Sequence, residues 1–570
     1  MTALLLCAVG AVVGVTAFAA DEPSKQPVYI VLYSRFYDHS HQHTTEERIQ
    51  RLLPLLDRLR QKYPQSGISA LLQFSGTVSE LMSERNPGLH FVDKVKDYES
   101  RGLVDIGYTG EEEPSYLYRP KANLLLADTP EKRWTAKEEA AEHFLNDFKN
   151  PVTGQPLPGL MGGLKRTQEV FGPAVFATGI ATMIGGDTPI THAFRKMDPE
   201  AVLGGIPQPD QRYDIEGFGF SADNFSKFMS PSPETSPDVF WEDNALRLSA
   251  QSLSDNKPHN TDETVDALKK VFAKLDRTHP RVIKIEVASY LRYLTKRADG
   301  SVRYDPMEWL YYHPDAPQFP ETMKPLVLQG QVEAGYRNEE AVLNWLLNEY
   351  LPANPGSRFL SIHELAKMAE NSAGSEVTSD EIRGIATSID AHFRQAPTDM
   401  PRFETAGDKY FSNAEAFELL AESLGKANPS NQKDVSLPPS VKLTPIYGPI
   451  ESPQDMGPIR GSVTVADVLR AAAQIAPPLA NDTWKSIPDN MVPPSVQVGA
   501  LHVNAAQFLH LMAWSYLNPA PDRILQLSSI AMTSQATFMF PKNTMIKDQG
   551  NSWTFKPAPL KLESAVVAAR

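Results

Sequence analysis

Cysteine is almost absent from this chain, since Cys7 is the only one among 570 residues. Disulfides need two thiols, and zinc–thiolate centres and cysteine nucleophiles need at least one. All three kinds of chemistry are therefore excluded from the sequence that follows Cys7. A chain without thiols also suits an oxidising compartment outside the cytoplasm.

Basic residues are also too few for one familiar class of partner. Lysine and arginine number 55 against 69 aspartates and glutamates, which leaves a net charge of -14. A nucleic-acid backbone selects a basic face, so we predict no nucleic-acid partner. At about 150 residues per domain, a chain of this length predicts several domains with large cores.

Long hydrophobic runs are confined to the start, "MTALLLCAVGAVVGVTAFAADEPSK". The run ends in the small-residue pattern Ala17-Phe18-Ala19 before polar residues, which predicts a signal peptide over residues 1–20 and a periplasmic or secreted protein. The alternative is an uncleaved signal anchor, because about 18 apolar residues can just span a bilayer. We predict no other integral membrane domain.

Short β-branched runs alternate with amphipathic helical stretches up to about residue 355, a pattern typical of parallel strands joined by helices. Seven runs are predicted as strands: VYIVLY, ISALLQF, LVDIGY, AVFATG, AVLGGI, VFWED and RVIKIEV. Between the first two, Thr44 and Glu47 have capping-box spacing and predict the start of a helix. Its apolar stripe consists of Ile49, Leu52, Leu53, Leu56 and Leu59, and Pro54 is expected to kink it.

A histidine-rich stretch, "FYDHSHQH" over residues 36–43, fills the loop predicted before this helix. His39 and His41 alternate in an extended segment, so both imidazoles can bind one divalent ion, zinc or similar. The further ligand is Asp38 or one of Glu111 to Glu113. A second interpretation is substrate contact without metal, which we assign to His43. The third is a solvated loop whose histidines form only local hydrogen bonds.

Three adjacent carboxylates follow the third predicted strand in "GEEEPSY". Crowded carboxylates in a cleft raise one another's pKa, so these residues are candidate catalytic acids: Glu111, Glu112 and Glu113. The flanking Tyr108 and Tyr116 are candidates for stacking on a sugar ring. The alternative is a solvated turn without chemistry.

Further acids follow later strands. Asp187 comes after two glycines that permit close backbone approach, and Glu242 and Asp243 stand next to Trp241. We predict the three acids as catalytic and Trp241 as substrate-binding. The alternatives are a helix cap at Asp187 and a core tryptophan flanked by surface acids.

The last predicted strand carries charge on one face. In "RVIKIEV" the period of two places Lys284 and Glu286 together, opposite the apolar residues. This face points either into a barrel interior, where Glu286 is a candidate catalytic residue, or to solvent at an exposed sheet edge.

The remainder, from residue 357, predicts helices separated by proline-bearing loops, with an internal repeat. We align Asn413-Ala414 with Asn504-Ala505, and Phe417 and Leu420 with Phe508 and Leu511. The recurring positions are apolar, and His502 and His510 have no counterpart in the first copy. A duplicated module that binds or docks, rather than catalyses, is predicted.

Several of these motifs resemble a known family. The opening strand with its histidine loop, "LLQFSGTVSELM", "LVDIGYTGEEEPSY", "EWLYYHPDAP" and "PGSRFLSIHELAKMA" resemble polysaccharide deacetylase-like and glycoside hydrolase family 57-like proteins over roughly residues 27–370. The resemblance implies an α/β fold, an irregular (β/α)7 barrel. The C-terminal region resembles pseudomurein-binding, cell-wall repeats at positions in the second copy: Val492-Pro493, Val496, Gly499, Gln507-Phe508 and Leu511.

The chain departs from the deacetylase pattern at its metal ligands. Asp38 can stand for the aspartate after strand one, but its second aspartate is missing. No histidine pair follows strand three, where residues 111–116 read EEEPSY. For the hydrolase alternative two flanking carboxylates are required, and no motif matches them fully.

We therefore expect four segments: a signal peptide at 1–20, a barrel at 27–355, and repeat-like modules at 357–455 and 456–570. The expected function is hydrolysis of a glycosidic or N-acetyl bond in a polysaccharide or cell-wall glycan, with a divalent metal as the one cofactor. The alternative is a catalytically inactive barrel that binds cell-surface glycan.

Overall fold

A computed structural model describes a little over half of the chain. The described residues are 25–36, 42–108, 163–177, 212–214, 238–242, 245–248, 252–254, 261–288, 294–296, 302–304, 329–370, 372, 374–397, 400–431, 434–444, 446, 448–449, 460–479, 492–530, 553 and 555–562. Within them no helix is long and apolar enough to cross a membrane.

The first part of the chain, to residue 370, is an α/β half. Its strands are β1 Val28–Phe36, β2 Ala70–Phe74, β3 Val104–Tyr108, β4 Phe176–Ala177, β5 Arg212–Asp214, β6 Val239–Glu242, β7 Ala245–Leu248, β8 Ser252–Ser254, β9 Arg281–Glu286, β10 Leu294–Lys296, β11 Val302–Tyr304 and β12 Arg358–Phe359. Its helices are α1 Gln42–Lys62, α2 Gly76–Leu89, α3 Phe91–Ser100, α4 Gly163–Phe171, α5 Thr261–Ala273, α6 Gln329–Trp345 and α7 Ile362–Met368. A π-helical turn, Leu346–Tyr350, and a last turn, Leu351–Ala353, extend α6.

Seven strands form one parallel sheet in the order β4-β3-β2-β1-β9-β8, with β12 also paired to β1. On β1, residues 32–36 pair with β2 and residues 29–30 pair with β12. Strand β9 pairs with residues 28–33 along one edge of β1. Strands β2 and β12 therefore share the other edge, where β12 pairs with the stretch that β2 leaves unpaired. The strands that the structure describes form an open path, so closure into a barrel stays a prediction.

Helix α1 packs on this sheet through the predicted stripe. All five stripe residues are buried: Ile49, Leu52, Leu53, Leu56 and Leu59. The helix begins at Gln42, two residues before the predicted cap Thr44. His43 therefore lies in the first turn of α1 rather than in the loop. Pro54 lies inside the helix.

The α/β half extends beyond its predicted end at residue 355. Arg358–Phe359 pair with β1, and α7 packs against the sheet through Ile362, Leu365 and Met368. Strand β12 and helix α7 therefore pack with the α/β half, although they follow residue 357. A two-residue strand is too short to produce a recognisable pattern in the sequence.

The second part is a helical half of two units. The first contains β13 Glu376–Thr378, α8 Ser379–Gln395, β14 Glu404–Ala406, β15 Lys409–Phe411, α9 Asn413–Gly425, β16 Asn428–Asn431, β17 Asp434–Ser436 and β18 Ser440–Lys442. The second contains β19 Ser462–Thr464, α10 Val465–Leu479, β20 Ser495–Val498, β21 Leu501–Asn504, α11 Ala505–Leu517 and β22 Ile524–Gln526. Apart from the β16–β17 hairpin, the element order is the same. In each unit the last strand pairs antiparallel with the first.

The hairpins and caps correct the alignment of these units by one residue. Gly407 and Gly499 take left-handed φ values of 64° and 58° at the two hairpin turns, a conformation that glycine adopts without a Cβ penalty. The following helices are capped by Ser412 and Asn504. Asn504 thus corresponds to Ser412 and not to Asn413. An alignment based on apolar residues can shift by one residue where a helix is mostly buried, whereas an alignment based on the cap position cannot.

The two units share one hydrophobic core. Helix α8 of the first unit packs on α11 of the second, and α9 packs on α10. The same cluster contains Phe417 and Phe508, whose ring centroids lie 5.8 Å apart. Modules divided at residue 455 are consequently not independent packing units.

A C-terminal strap, defined here as residues 553–561, contacts both halves. The buried ring of Trp553 belongs to the core of the helical half. Strand β23, Lys556–Pro557, pairs antiparallel with β6 of the α/β half. Further along, the Lys561 N–H donates to the Met368 carbonyl at 2.9 Å. The strap therefore connects the two halves through backbone hydrogen bonds.

Candidate functional site

The two faces of the parallel sheet differ in what covers them. The Leu32 face, which carries Ile30, Leu32, Leu72 and Ile283, is buried in the core that includes helices α1 to α6. The opposite Tyr33 face carries Tyr29, Val31, Tyr33 and Val282, and packs against strands β6 and β7 and helix α7. Along each strand, successive side chains point alternately to these two faces.

Polar side chains lie on the Tyr33 face near the carboxyl ends of the strands. Tyr33 and Glu286 are paired in the sheet register, and Arg35 is paired with Gln73 one step further along. Lys284 precedes Glu286 by two residues and shares its face. The carboxyl ends of parallel strands are where α/β proteins build their sites, so this polar group is the candidate functional site.

The group is buried although it is charged. Lys284 is 1% exposed and Glu286 is 6% exposed. The Lys284 Nζ lies 5.8 Å from the Tyr33 ring centroid, and the half-buried Arg35 guanidinium lies 6.0 Å from the same ring. Tyr33 thus lies close to two cations, with a carboxylate beside it in the register.

The position of β9 decides between the two interpretations of Lys284 and Glu286. This strand lies between β1 and β8 in the sheet. The exposed-edge alternative is therefore wrong, and both side chains point into the packed Tyr33 face. A sheet's strand order depends on long-range pairing, which the local pattern of one strand does not contain.

A second polar pair lies on the same face near β3. Asp105 is level with Leu71 of β2 and with Tyr33 of β1. Its Oδ1 lies 3.9 Å from Nε2 of His363 on α7. Burial raises the pKa of Asp105, and the nearby His363 partly offsets this rise.

The turn after β9, two residues beyond Glu286, packs into the core of the Leu32 face. Ala288 is fully buried with a left-handed φ of 55°. Its carbonyl accepts a 2.5 Å hydrogen bond from Nε of Arg48 on α1, and its N–H donates to Glu339 on α6.

Most of the predicted site residues lie outside the residues that the structure describes: Asp38, His39, His41, Glu111, Glu112, Glu113, Tyr116, Asp187 and Asp243. Glu242 is the last residue of β6. The structure describes the backbone of Glu242 and His43 but not their side chains. These assignments stay predictions.

Two predicted sugar-binding rings lie inside the protein. Tyr108, the last residue of β3, is 0% exposed within the core of the Leu32 face. Trp241 is 4% exposed, and its Nε1 donates a 2.6 Å hydrogen bond to the Glu370 carbonyl. In this structure neither ring has an open face on which a sugar could stack.

Sequence reasoning missed several residues of the site. Gln73 and Asp105 are single polar residues within otherwise apolar strands, and Arg35 follows Ser34 near the end of β1. Arg48 and Glu339 lie on helices, and no local pattern distinguishes them. Among the described residues, no group of three or more histidines, cysteines or acids is placed to hold a metal ion.

Comparisons with known proteins give weak likenesses only. No family model and no curated protein matches the chain. A 4-alpha-glucanotransferase from Thermococcus litoralis matches with a TM-score of 0.28 and 12% identity, over 60% of this chain and 40% of its own. An alpha-mannosidase from Enterococcus faecalis V583 matches with a TM-score of 0.18 and 12% identity, over 70% of this chain and 35% of its own. The chain thus spans less than half the length of either enzyme.

Proposed function

We propose that this protein acts on carbohydrate at the polar end of the Tyr33 face, hydrolysing a glycosidic or N-acetyl bond of a polysaccharide or cell-wall glycan. The observation that carries the proposal is the buried carboxylate of Glu286 beside Lys284 and Tyr33 at the carboxyl ends of the strands. A carboxyl group held in such a place can act as general acid or base.

The second carboxylate of a glycosidase has to come from another part of the chain. Asp105 and Glu286 lie on strands separated by β2 and β1, which at about 4.8 Å per strand places their Cα atoms roughly 14 Å apart. Glycosidase carboxyl pairs lie about 5 to 10 Å apart. Asp105 is therefore a poor partner, and we propose that the second carboxylate is one of the predicted acids Glu111, Glu112, Glu113 and Asp187.

The chemistry of a metal, if one is bound, would be activation of water against an acetyl carbonyl. The predicted ligands Asp38, His39 and His41 follow β1 in the sequence, after the carboxyl end of that strand. This position suits a metal that serves the same site. Retention of near-stoichiometric zinc by the purified protein, and its loss in a double alanine variant of both histidines, would support the assignment.

The helical half is proposed as a duplicated module that associates with the glycan while the sheet carries the chemistry. The shared element order and the matching caps support duplication. Two equivalent surfaces on one polymer would bind by avidity. Export through the apolar N-terminal segment would bring the protein to such a polymer.

The test is turnover of a broad panel of soluble and insoluble glycans, with assays for new reducing ends and for free acetate. Glu286→Gln keeps the side-chain volume and should lower turnover by about 100-fold or more, since general acid–base catalysis contributes about that factor. Glu349→Gln is the matched control, because the Glu349 side chain is 64% exposed. The control should retain full activity.

Two results would count against hydrolysis. Silence of the wild type across the panel argues against catalysis altogether. Saturable glycan binding without turnover favours the alternative, a catalytically inactive carbohydrate-binding protein.

A further inference from the structure

The backbone after β9 adopts a conformation that alanine disfavours. Glu286 ends the strand, and two residues later Ala288 has a φ of 55°. A left-handed alanine costs about 1 to 2 kcal/mol, because its Cβ approaches the following carbonyl. Such residues persist only where the surrounding structure holds them, and they cluster at functional sites.

A buried guanidinium group holds one side of this turn. Arg48 is 4% exposed, and its Nε donates to the Ala288 carbonyl at 2.5 Å. Its Nη2 donates to the Arg35 carbonyl at 2.6 Å and to the Ser34 Oγ at 3.1 Å. Its Cζ lies 4.5 Å from the Phe36 ring centroid. One side chain therefore ties the carboxyl end of β1 to the residue that follows β9.

A carboxylate holds the other side. Glu339 on α6 accepts a hydrogen bond from the Ala288 N–H. In addition, the Val287 N–H donates to the Tyr33 carbonyl at 2.8 Å, which continues the pairing of β9 with β1. Both backbone polar groups of Ala288 are thus satisfied by side chains from two different helices, α1 and α6.

We infer that Arg48 and Glu339 are positioning residues that hold Ala288 in its left-handed conformation and thereby fix the direction of the Glu286 side chain. This inference rests on the proposed function of Glu286. A turn that only had to connect β9 to the next segment would be served by glycine without strain. A buried arginine and a partly buried glutamate hold an alanine there instead, two residues after the candidate carboxylate.

The central experiment replaces Arg48 by alanine and measures kcat and KM on the glycan that the wild type turns over. We expect kcat to fall by about 10- to 100-fold with KM changed less than about twofold, because orientation of a catalytic group acts on the chemical step. Added guanidinium ion should raise the kcat of the variant several-fold, because it can occupy the cavity that the truncated Arg48 side chain leaves. Arg58→Ala is the control on the same helix, since that side chain is 53% exposed, and it should leave kcat unchanged.

Two further substitutions keep the test independent of folding defects in Arg48→Ala. Glu339→Gln retains an oxygen that can accept from the Ala288 N–H and should keep most of the wild-type kcat, whereas Glu339→Ala should lose it. Ala288→Gly removes the strain, so its melting temperature should not fall. Its kcat should stay close to that of the wild type, because Arg48 and Glu339 bind the backbone of residue 288 and still hold the turn.

The outcomes separate this inference from the proposed function. If Glu286→Gln is inactive but folded Arg48→Ala and Glu339→Ala keep kcat within twofold of wild type, the positioning role is overturned and the proposed function stands. Loss of activity that follows the melting temperature, with no rescue by guanidinium, assigns Arg48 a structural role and also overturns it. If the wild type turns over no glycan, the proposed function fails and this inference fails with it.

Discussion

The α/β half and the helical half place their buried charges differently. In the α/β half, Lys284 and Glu286 lie two residues apart on one face of the sheet, near Tyr33 and Arg35. In the helical half, the buried charges are mostly carboxylates within a helical core: Asp390 on α8, Glu404 on β14, and Glu415, Glu418 and Glu422 on α9, with Lys556 on the strap. A cluster at strand ends suits chemistry on a ligand. Charges spread through a helical core act on packing and on pH dependence.

The largest effect is expected at the buried ion pair between the strap and the helical half. Lys556 Nζ lies 2.5 Å from Glu415 Oε1, and their side chains are 4% and 6% exposed. Lys556→Met leaves the carboxylate buried without its partner, which should lower the free energy of unfolding by about 3 to 5 kcal/mol. Urea unfolding followed by circular dichroism measures the change.

The control is a neighbouring lysine on the same strap. Lys561 pairs with Glu370, but its side chain is 73% exposed. Lys561→Met should change the free energy of unfolding by less than about 1 kcal/mol. Equal effects of the two substitutions would show that burial does not govern the strength of the Lys556 pair.

Leucine substitutions in the two cores test whether the halves unfold together. Leu56 and Leu420 are each 0% exposed, in the α/β core and the helical core respectively. Each Leu→Ala change should cost about 2 to 5 kcal/mol. Because the strap bonds both halves, each variant should shift one common transition in scanning calorimetry. Two separate transitions, with each variant moving only one of them, would contradict this coupling.

A pH-dependent loss of stability is expected in the helical half. Burial raises the pKa of Glu404 from 4.5 to about 8, an effect that the nearby Ser388 partly offsets. The folded state therefore binds its proton more tightly than the unfolded state. The contribution of protonated Glu404 to the free energy of unfolding is fully present below about pH 4.5 and is lost as the pH rises toward 8.

Glu404→Gln removes this titration. Between pH 5 and pH 8 the free energy of unfolding of the wild type should fall more than that of the variant, by a difference on the order of 3 kcal/mol. Chemical unfolding at several pH values provides the measurement. Parallel pH profiles for the two proteins would contradict a raised pKa at Glu404.

The smallest effect compares the two units of the helical half. Thr378 and Thr464 cap α8 and α10, each with an acid three residues on that bonds back to the cap. Each Thr→Ala change should cost about 1 kcal/mol. Closely similar losses would support duplicated packing, whereas a large loss in one unit alone would show that the units have diverged.

Much of the sheet was predictable because its strands have strong local patterns. Six of the seven predicted strand runs lie on described strands, and the apolar stripe of α1 is buried as expected. Five of the six lie in the parallel sheet, whereas VFWED forms β6, which pairs antiparallel with β7 and β23. The seventh, AVLGGI, lies outside the described residues. The short β12 was not predictable, because two residues carry too little pattern. The alignment of the helical units slipped because apolar residues were compared where caps would have been decisive.

In the candidate site, too, the local pattern predicted one part and long-range contacts decided the rest. Alternation along β9 was sufficient to put Lys284 and Glu286 on one face, but it did not show whether that face is exposed. The pairing of β9 with both β1 and β8 decided this. Arg48 and Glu339 escaped prediction entirely, because they meet Ala288 from helices distant in sequence.

By itself the sequence determined which segments form strands and helices and which side chains share a face, because backbone periodicity is a local property. It also determined the absence of thiol chemistry after Cys7. The tertiary structure decided the strand order, the shared core of the two helical units and the strap that joins both halves. It also decided that the side chains of Arg48 and Glu339 bind the backbone of Ala288. These features depend on contacts between residues far apart in the chain, and no local pattern specifies such contacts.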